Sequence, residues 1–314
     1  MTDTLRTLIF EHASARAQLV QLKDTWKTIA ASNTYPPAVQ QLLGQLVAAS
    51  AVLSASLKFE GSLILQIQGD GPVRLIVAEC NSRLGLRATV KLLENAEIPH
   101  SASFQELVNQ DGKGMCVIVL DPRNRLPGQV PYQGIVPLVG TGVADALEAY
   151  MHSSEQLETR LVLNANADAA AGLMIQQMPS HGGKSKEVEY DPDGWDRLLA
   201  LANTLGPDEQ LKTPIDELSH RLFWEENAAK LADRTPHFEC SCSRDKVGKM
   251  LLGLGSAEMN EALEENPVIE VVCDFCGTAY TFNRAQCDEL LAANEPTNSP
   301  TMTNDEPGSK PTLH

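Results

Sequence analysis

The sequence predicts an α+β core domain at the N-terminus, then a helical linker, then a small C-terminal module organised by cysteines. Three observations carry this. In the first 183 residues strand patterns outnumber helix patterns and do not alternate with them, which fits α+β better than a doubly wound sheet. A charged segment with an apolar helical stripe follows. Finally, five of the seven cysteines crowd between positions 240 and 287.

The elements follow in chain order. Pro36-Pro37 opens a long helix to about Ser56, rich in Leu, Ala and Gln, with proline tolerated in the first turn. Gly61 to Gly69 alternates Leu63, Leu65 and Ile67 against glutamines, a half-buried strand. Gly69-Asp70-Gly71-Pro72 is a turn and Val73 to Ala78 the returning strand of a hairpin. Further strands are expected at 115–120, 131–138, 157–164 and 171–178, with a helix near 143–152. Ser180-His181-Gly182-Gly183 marks a boundary, giving a core domain over 1–183 and a linker over 184–233. In the linker Trp195, Leu198, Leu199, Ala202 and Leu205 form an amphipathic stripe. Thr213-Pro214-Ile215-Asp216 reads as a second helix start, with Thr213 as its cap and Pro214 in the first turn. The cysteine module spans 234–290, and from 291 to 314 the composition is that of a disordered tail.

The 314 residues carry 41 acidic and 25 basic side chains, a formal net charge of −16. That charge repels phosphate backbones and anionic membrane surfaces, so neither a nucleic acid nor a membrane is the expected partner. No basic-then-apolar leader opens the chain, and no stretch is expected to reach the 18 or so apolar residues of a bilayer span. The expectation is a soluble cytoplasmic protein whose cysteines are thiols, metal ligands or redox groups.

Cys240-x-Cys242 and Cys273-x-x-Cys276 are separated by thirty residues, the arrangement that builds a tetrahedral four-thiolate zinc site. Phe238 and Val272 precede the pairs in strand-like context, and Tyr280 and Phe282 follow the second; these are candidates for a small core around one zinc ion. Three readings compete. The zinc is purely structural, as in an adaptor built on a static zinc ribbon. Alternatively Cys273-x-x-Cys276 is a disulfide oxidoreductase motif, but Gly277 to Phe282 reads as a strand where that chemistry needs a helix. Or the site is a switch: a region under 60 residues depends on its metal for ~10–16 kcal/mol of folding free energy, and oxidising the thiolates removes it. Other candidates are weaker. Gly140-Thr141-Gly142 lacks the third glycine of a dinucleotide loop and reads as a plain strand–helix turn. His220, placed at an apolar helix start, and His237 read as structural, Cys80 and Cys116 as buried inert thiols. No catalytic residue set for an enzyme emerges.

Tyr35-Pro36-Pro37, Leu57 to Ser62, Gln68 to Val73, Tyr132 to Leu138, His220 to Phe223 and Phe238 to Arg244, together with the thirty-residue interval, resemble the heat-shock protein 33 family over roughly residues 5–290. The resemblance implies an ATP-independent, redox-regulated holdase chaperone of the bacterial cytosol, inactive while reduced and zinc-bound. It further implies that oxidation joins Cys240 to Cys242 and Cys273 to Cys276, ejects zinc and destabilises the linker. Binding of unfolded clients then follows, often with dimerisation. Cys287 and the polar tail depart from the family pattern.

Overall fold

The computed structural model describes residues 2–57, 60–125, 128, 130–178 and 190–294. These fall into two compact units, Met1–Ser241 with Asp274–Gly277, and Cys242–Cys273 with the chain from Thr278 onward.

The first unit opens with a hairpin, β1 (Thr4–Phe10) and β2 (Ala15–Leu22), followed by α1 (Asp24–Ala31) and α2 (Pro37–Ser56). Pro37 occupies the first turn of α2 as the sequence predicts. Next come β3 (Gly61–Gln68), β4 (Val73–Asn81), β5 (Gly85–Leu92), α3 (Phe104–Val108), β6 (Met115–Pro122), β7 (Tyr132–Pro137), α4 (Val143–Ser153), β8 (Thr159–Ala165) and β9 (Ala170–Gln177). The expected hairpin at 61–78 and the four later strands are present, as is the helix near 143–152. Three linker helices follow, α5 (Gly194–Asn203), α6 (Pro207–Lys212) and α7 (Ile215–Phe223), then β10 (Ala229–Arg234) and the two-residue β11 (His237–Phe238).

Two sheets result, ordered β10-β1-β2-β9-β8 and β11-β5-β4-β3-β6-β7. Helix α2 packs on strands of both, and its residues share one core with Leu5 and Val20 of the first sheet and Leu65 and Ile76 of the second. This corrects the expectation that no stretch is apolar enough to span a bilayer. Helix α2 passes that test by length and composition, yet 78% of its apolar window is buried, because a helix packed on several sides has no polar face to keep. Gly44 is fitted to this crowding: a Cβ there would lie 2.4 Å from that of Ala165 on β8.

The other face of the first sheet lies under the linker helices. Leu8, Phe10, Ala17, Leu19, Leu173 and Ile175 pack against Leu198, Ala202, Leu205, Ile215, Leu218, Leu222 and Phe223. Trp195 joins this cluster half-buried, but Leu199 does not. It lies about 100° round the helix from Leu198, and Leu201 packs there instead. Two further readings are corrected. Thr213 closes α6, and α7 starts at Ile215 with Pro214 as its N-cap and no side-chain cap bond, so the turn is set by proline geometry. His220 lies in the last turn of α7, exposed, because the apolar positions 215, 218 and 222 face the sheet. The stretch read as helical through 233 ends in β10, which pairs with β1.

The second unit has α8 (Arg244–Leu254), α9 (Ser256–Glu265), the hairpin β12 (Val268–Val272) and β13 (Ala279–Asn283), and α10 (Arg284–Asn294). Leu251, Met259, Leu263, Phe282 and Cys287 form its small core. The chain from 291 to 294, read as tail, continues α10; residues 295–314 and the boundary at 180–183 lie outside the described residues.

Candidate metal centre

The approach to the first cysteine pair is built on the β4–β5 corner. Asn81 Oδ1 accepts from the backbone N–H of Arg83 and Gly85, both at 2.9 Å, closing the turn. Its Nδ2 is then free to donate to Glu239 Oε2 at 2.8 Å, while Arg83 Nη2 donates to Oε1 at 2.9 Å. Strand β11 runs parallel to β5, with His237 N donating to Leu84 O and Glu239 N to Leu86 O, both at 3.0 Å. Gly85 makes room for this, since a Cβ there would meet Glu239 Oε2 at 2.2 Å. Cys240 is the next residue, so its position follows from backbone pairing on β5.

The turn Asp274–Gly277 rests on the same strand. The Asp274 carboxylate pairs with Lys91 Nζ, and its carbonyl accepts from Asn33 Nδ2 at 3.3 Å. The Phe275 ring lies under the Arg87 guanidinium, 4.4 Å from the ring centroid. Arg87 in turn donates to Glu79 Oε2 through Nε and Nη2 at 2.8 and 2.6 Å. Gly277 takes φ +70°, the left-handed backbone that reverses the chain into β13. Cys273 N donates to Thr278 O at 2.9 Å, closing the turn, and Tyr280 OH donates to Cys242 Sγ at 3.1 Å.

The outcome is that the sulfurs of Cys240, Cys242, Cys273 and Cys276 all lie within 4.8 Å of one another, each residue half-buried. Four thiolates bound tetrahedrally at 2.3 Å would stand about 3.8 Å apart, so the donor set fits a soft divalent ion. The same sulfurs are near enough to one another to be oxidised, and a sulfur in a disulfide is no longer a thiolate ligand. Metal binding and oxidation therefore exclude each other at this place.

Several sequence readings are refined here. Tyr280 and Phe282 belong to the second unit's core as expected, but Val272 is exposed and Phe238 packs against the large core around α2. His237 pairs with Glu239 at 3.4 Å. Cys80 and Cys116 are fully buried, and burial pushes both thiols up to about 12. In the 140–142 turn, Asp145 Oδ2 accepts from Thr141 N and Oγ1 at 2.6 and 2.9 Å, so a carboxylate fills the place a phosphate would need. Arg87, Lys91 and Asn33 escaped the sequence reading. The signal for the first two was their spacing on one strand face, but 85–92 was not read as a strand.

The comparisons agree with this arrangement. Residues 3–283 match the family described as Hsp33 protein. A 33 kDa chaperonin of Methylobacillus flagellatus is 39% identical, with 93% of this chain and 95% of that one covered. One of Chromobacterium violaceum is 38% identical over 92% and 94%. The crystal structure of a 33 kDa chaperonin from Thermotoga maritima, described as a heat shock protein 33 homolog, superposes with a TM-score of 0.75 at 22% identity. It covers 93% of this chain and 98% of that one, and at such identity it speaks for the fold alone. A family match over residues 3–283, a relative 39% identical over nearly its whole length and a solved structure of the same fold place this chain in the Hsp33 family.

Proposed function

We propose that the chain is a redox-regulated, ATP-independent holdase chaperone, not an enzyme, resting as a reduced zinc-bound form in the cytoplasm. The observation that carries the reading is the gathering of Cys240, Cys242, Cys273 and Cys276 within 4.8 Å. These four are the zinc ligands, one ion per chain. Zinc held by thiolates supplies ~10–16 kcal/mol of folding free energy to a module of this kind. The second unit, whose core among the described residues is five buried side chains, has little else to stand on. Joining Cys240 to Cys242 and Cys273 to Cys276 removes all four ligands, and the second unit and the linker loosen. The apolar sheet face under α5, α6 and α7 then becomes available to unfolded client proteins. Burial of apolar surface at ~25 cal/mol per Å² drives that capture without nucleotide, and the acidic linker and module (12 acidic against 6 basic residues over 184–233, 10 against 5 over 234–290) keep the opened state soluble. The opened form also pairs with a second copy of the chain.

The test measures zinc content and suppression of client aggregation before and after peroxide with mild heat. The expected result is one zinc per reduced chain, its loss on oxidation, and activity gained in step. The Cys240→Ser chain should retain zinc poorly. Normal zinc in that variant would defeat the ligand assignment, and binding of partners lost rather than gained on oxidation would favour a static zinc-ribbon adaptor.

A further inference from the structure

Strand β5 carries two cations four residues apart on its outer face, Arg87 and Lys91. Both meet the cysteine-bearing segments. Arg87 lies over Phe275, the Cys240 sulfur after Glu79 helps to raise the pKa of its guanidinium, and Lys91 pairs with Asp274. One guanidinium thus feels the charge of the first cysteine pair and touches the second through the residue between its cysteines. Glu79 fixes its fork from behind.

Four thiolates on a divalent ion carry a net double negative charge, and Asp274 adds a third beside it. In a chain of net charge −16 such a concentration needs local cations. We propose that Arg87 is the positioning residue of the metal centre, holding Cys240 and the Asp274–Gly277 turn together on β5 by charge and stacking, with Lys91 as its weaker partner. This rests on the four-cysteine metal reading above and extends it to what retains the ion.

The arrangement also supplies a release step. When a pair closes, two thiolates become a neutral disulfide and give up two electrons. Hydrogen peroxide takes these with two protons and leaves as two water molecules. Each closure removes two negative charges from beside Arg87, leaving the Phe275 ring and the Lys91–Asp274 pair as the links of β5 to the turn, so the hold of the turn on β5 weakens.

The experiment follows zinc transfer to a chromogenic chelator from the reduced full-length chain, at low salt and at 1 M salt. Partners of this kind change metal affinity by roughly 10–100-fold, so Arg87→Gln should release zinc about 10-fold faster or more. Arg87→Lys, which keeps the charge but loses the planar fork, should recover part of the difference. Lys91→Gln, whose side chain is 54% exposed, should be roughly 2–3-fold faster at low salt and equal to wild type at 1 M, where screening acts within about 3 Å. Release at the wild-type rate from a folded Arg87→Gln chain overturns the proposal, as does an Arg87→Lys chain no better than Arg87→Gln. Should Arg87→Gln misfold, an unchanged Lys91→Gln at low salt overturns it. A wild-type chain that holds no zinc defeats the metal reading itself, which separates the two failures.

Discussion

Arg6 shows how one side chain can fasten the linker. It lies on β1, 4% exposed, and donates to Asp233 at 2.8 and 2.9 Å, to Asp216 at 2.5 Å, to Ser219 Oγ at 2.9 Å and to Ile215 O at 3.4 Å. A buried guanidinium is tolerated because its fork is satisfied on every side. The hydrogen bonds from Arg6 hold the Asp233 carboxyl down to about 2. A lowered carboxyl stabilises the fold fully above its unfolded value of about 3.9, and the contribution fades as pH falls toward the folded one. Asp233→Asn should therefore lower Tm by roughly 2–4 °C near neutral pH, with the two proteins converging as the pH approaches about 2. Thermal unfolding across pH 2 to 7 measures this; a constant offset at every pH would contradict it. Nothing in Thr4-Leu5-Arg6-Thr7 marks this arginine in the sequence, because its partners are more than 200 residues away. The gathering of the four cysteines was legible by contrast, since a metal site needs close pairs and the pairs are local.

At the scale of elements, what was legible depended on how many faces were buried. The β3–β4 hairpin keeps one half-exposed face, so alternation showed it. Strand β2 is buried almost throughout, lying between α2 on one side and the linker helices on the other, and its pattern does not alternate. Strand β10 fails the opposite way, exposed along most of its length and held by edge pairing to β1. Missing β5 hid the platform of the metal centre. The linker's dependence on packing can be tested at α7, where the Phe223 ring meets Phe10 edge-on at 5.1 Å and 67°. Removing a buried phenyl costs about 3–5 kcal/mol, a large part of what holds a nine-residue helix on the sheet. Reduced Phe223→Ala should suppress aggregation of a heat-denatured client without oxidant. A reduced variant as inactive as wild type would show that α7 does not guard the client surface.

Across the whole molecule, stability is unevenly distributed. The first unit has a large core around α2 and another under the linker, whereas the second has, among the described residues, a core of five buried side chains. The remaining cysteines are divided in the same way. Cys80 and Cys116 lie in the large core, and Cys287 lies in the small one, its thiol pushed up by burial. Buried thiols do not react until their surroundings open. Chelating the metal from the reduced chain and alkylating it should therefore label the four ligands and Cys287 together, and leave Cys80 and Cys116 unlabelled until denaturant is added. Labelling of Cys80 or Cys116 along with Cys287 would refute the hierarchy. The seven cysteine thiols then work as a gauge written into the chain: the mass added by alkylation reports, chain by chain, how far each has opened, and a cell's whole population could be sorted into closed, switched and ruined molecules by weighing it.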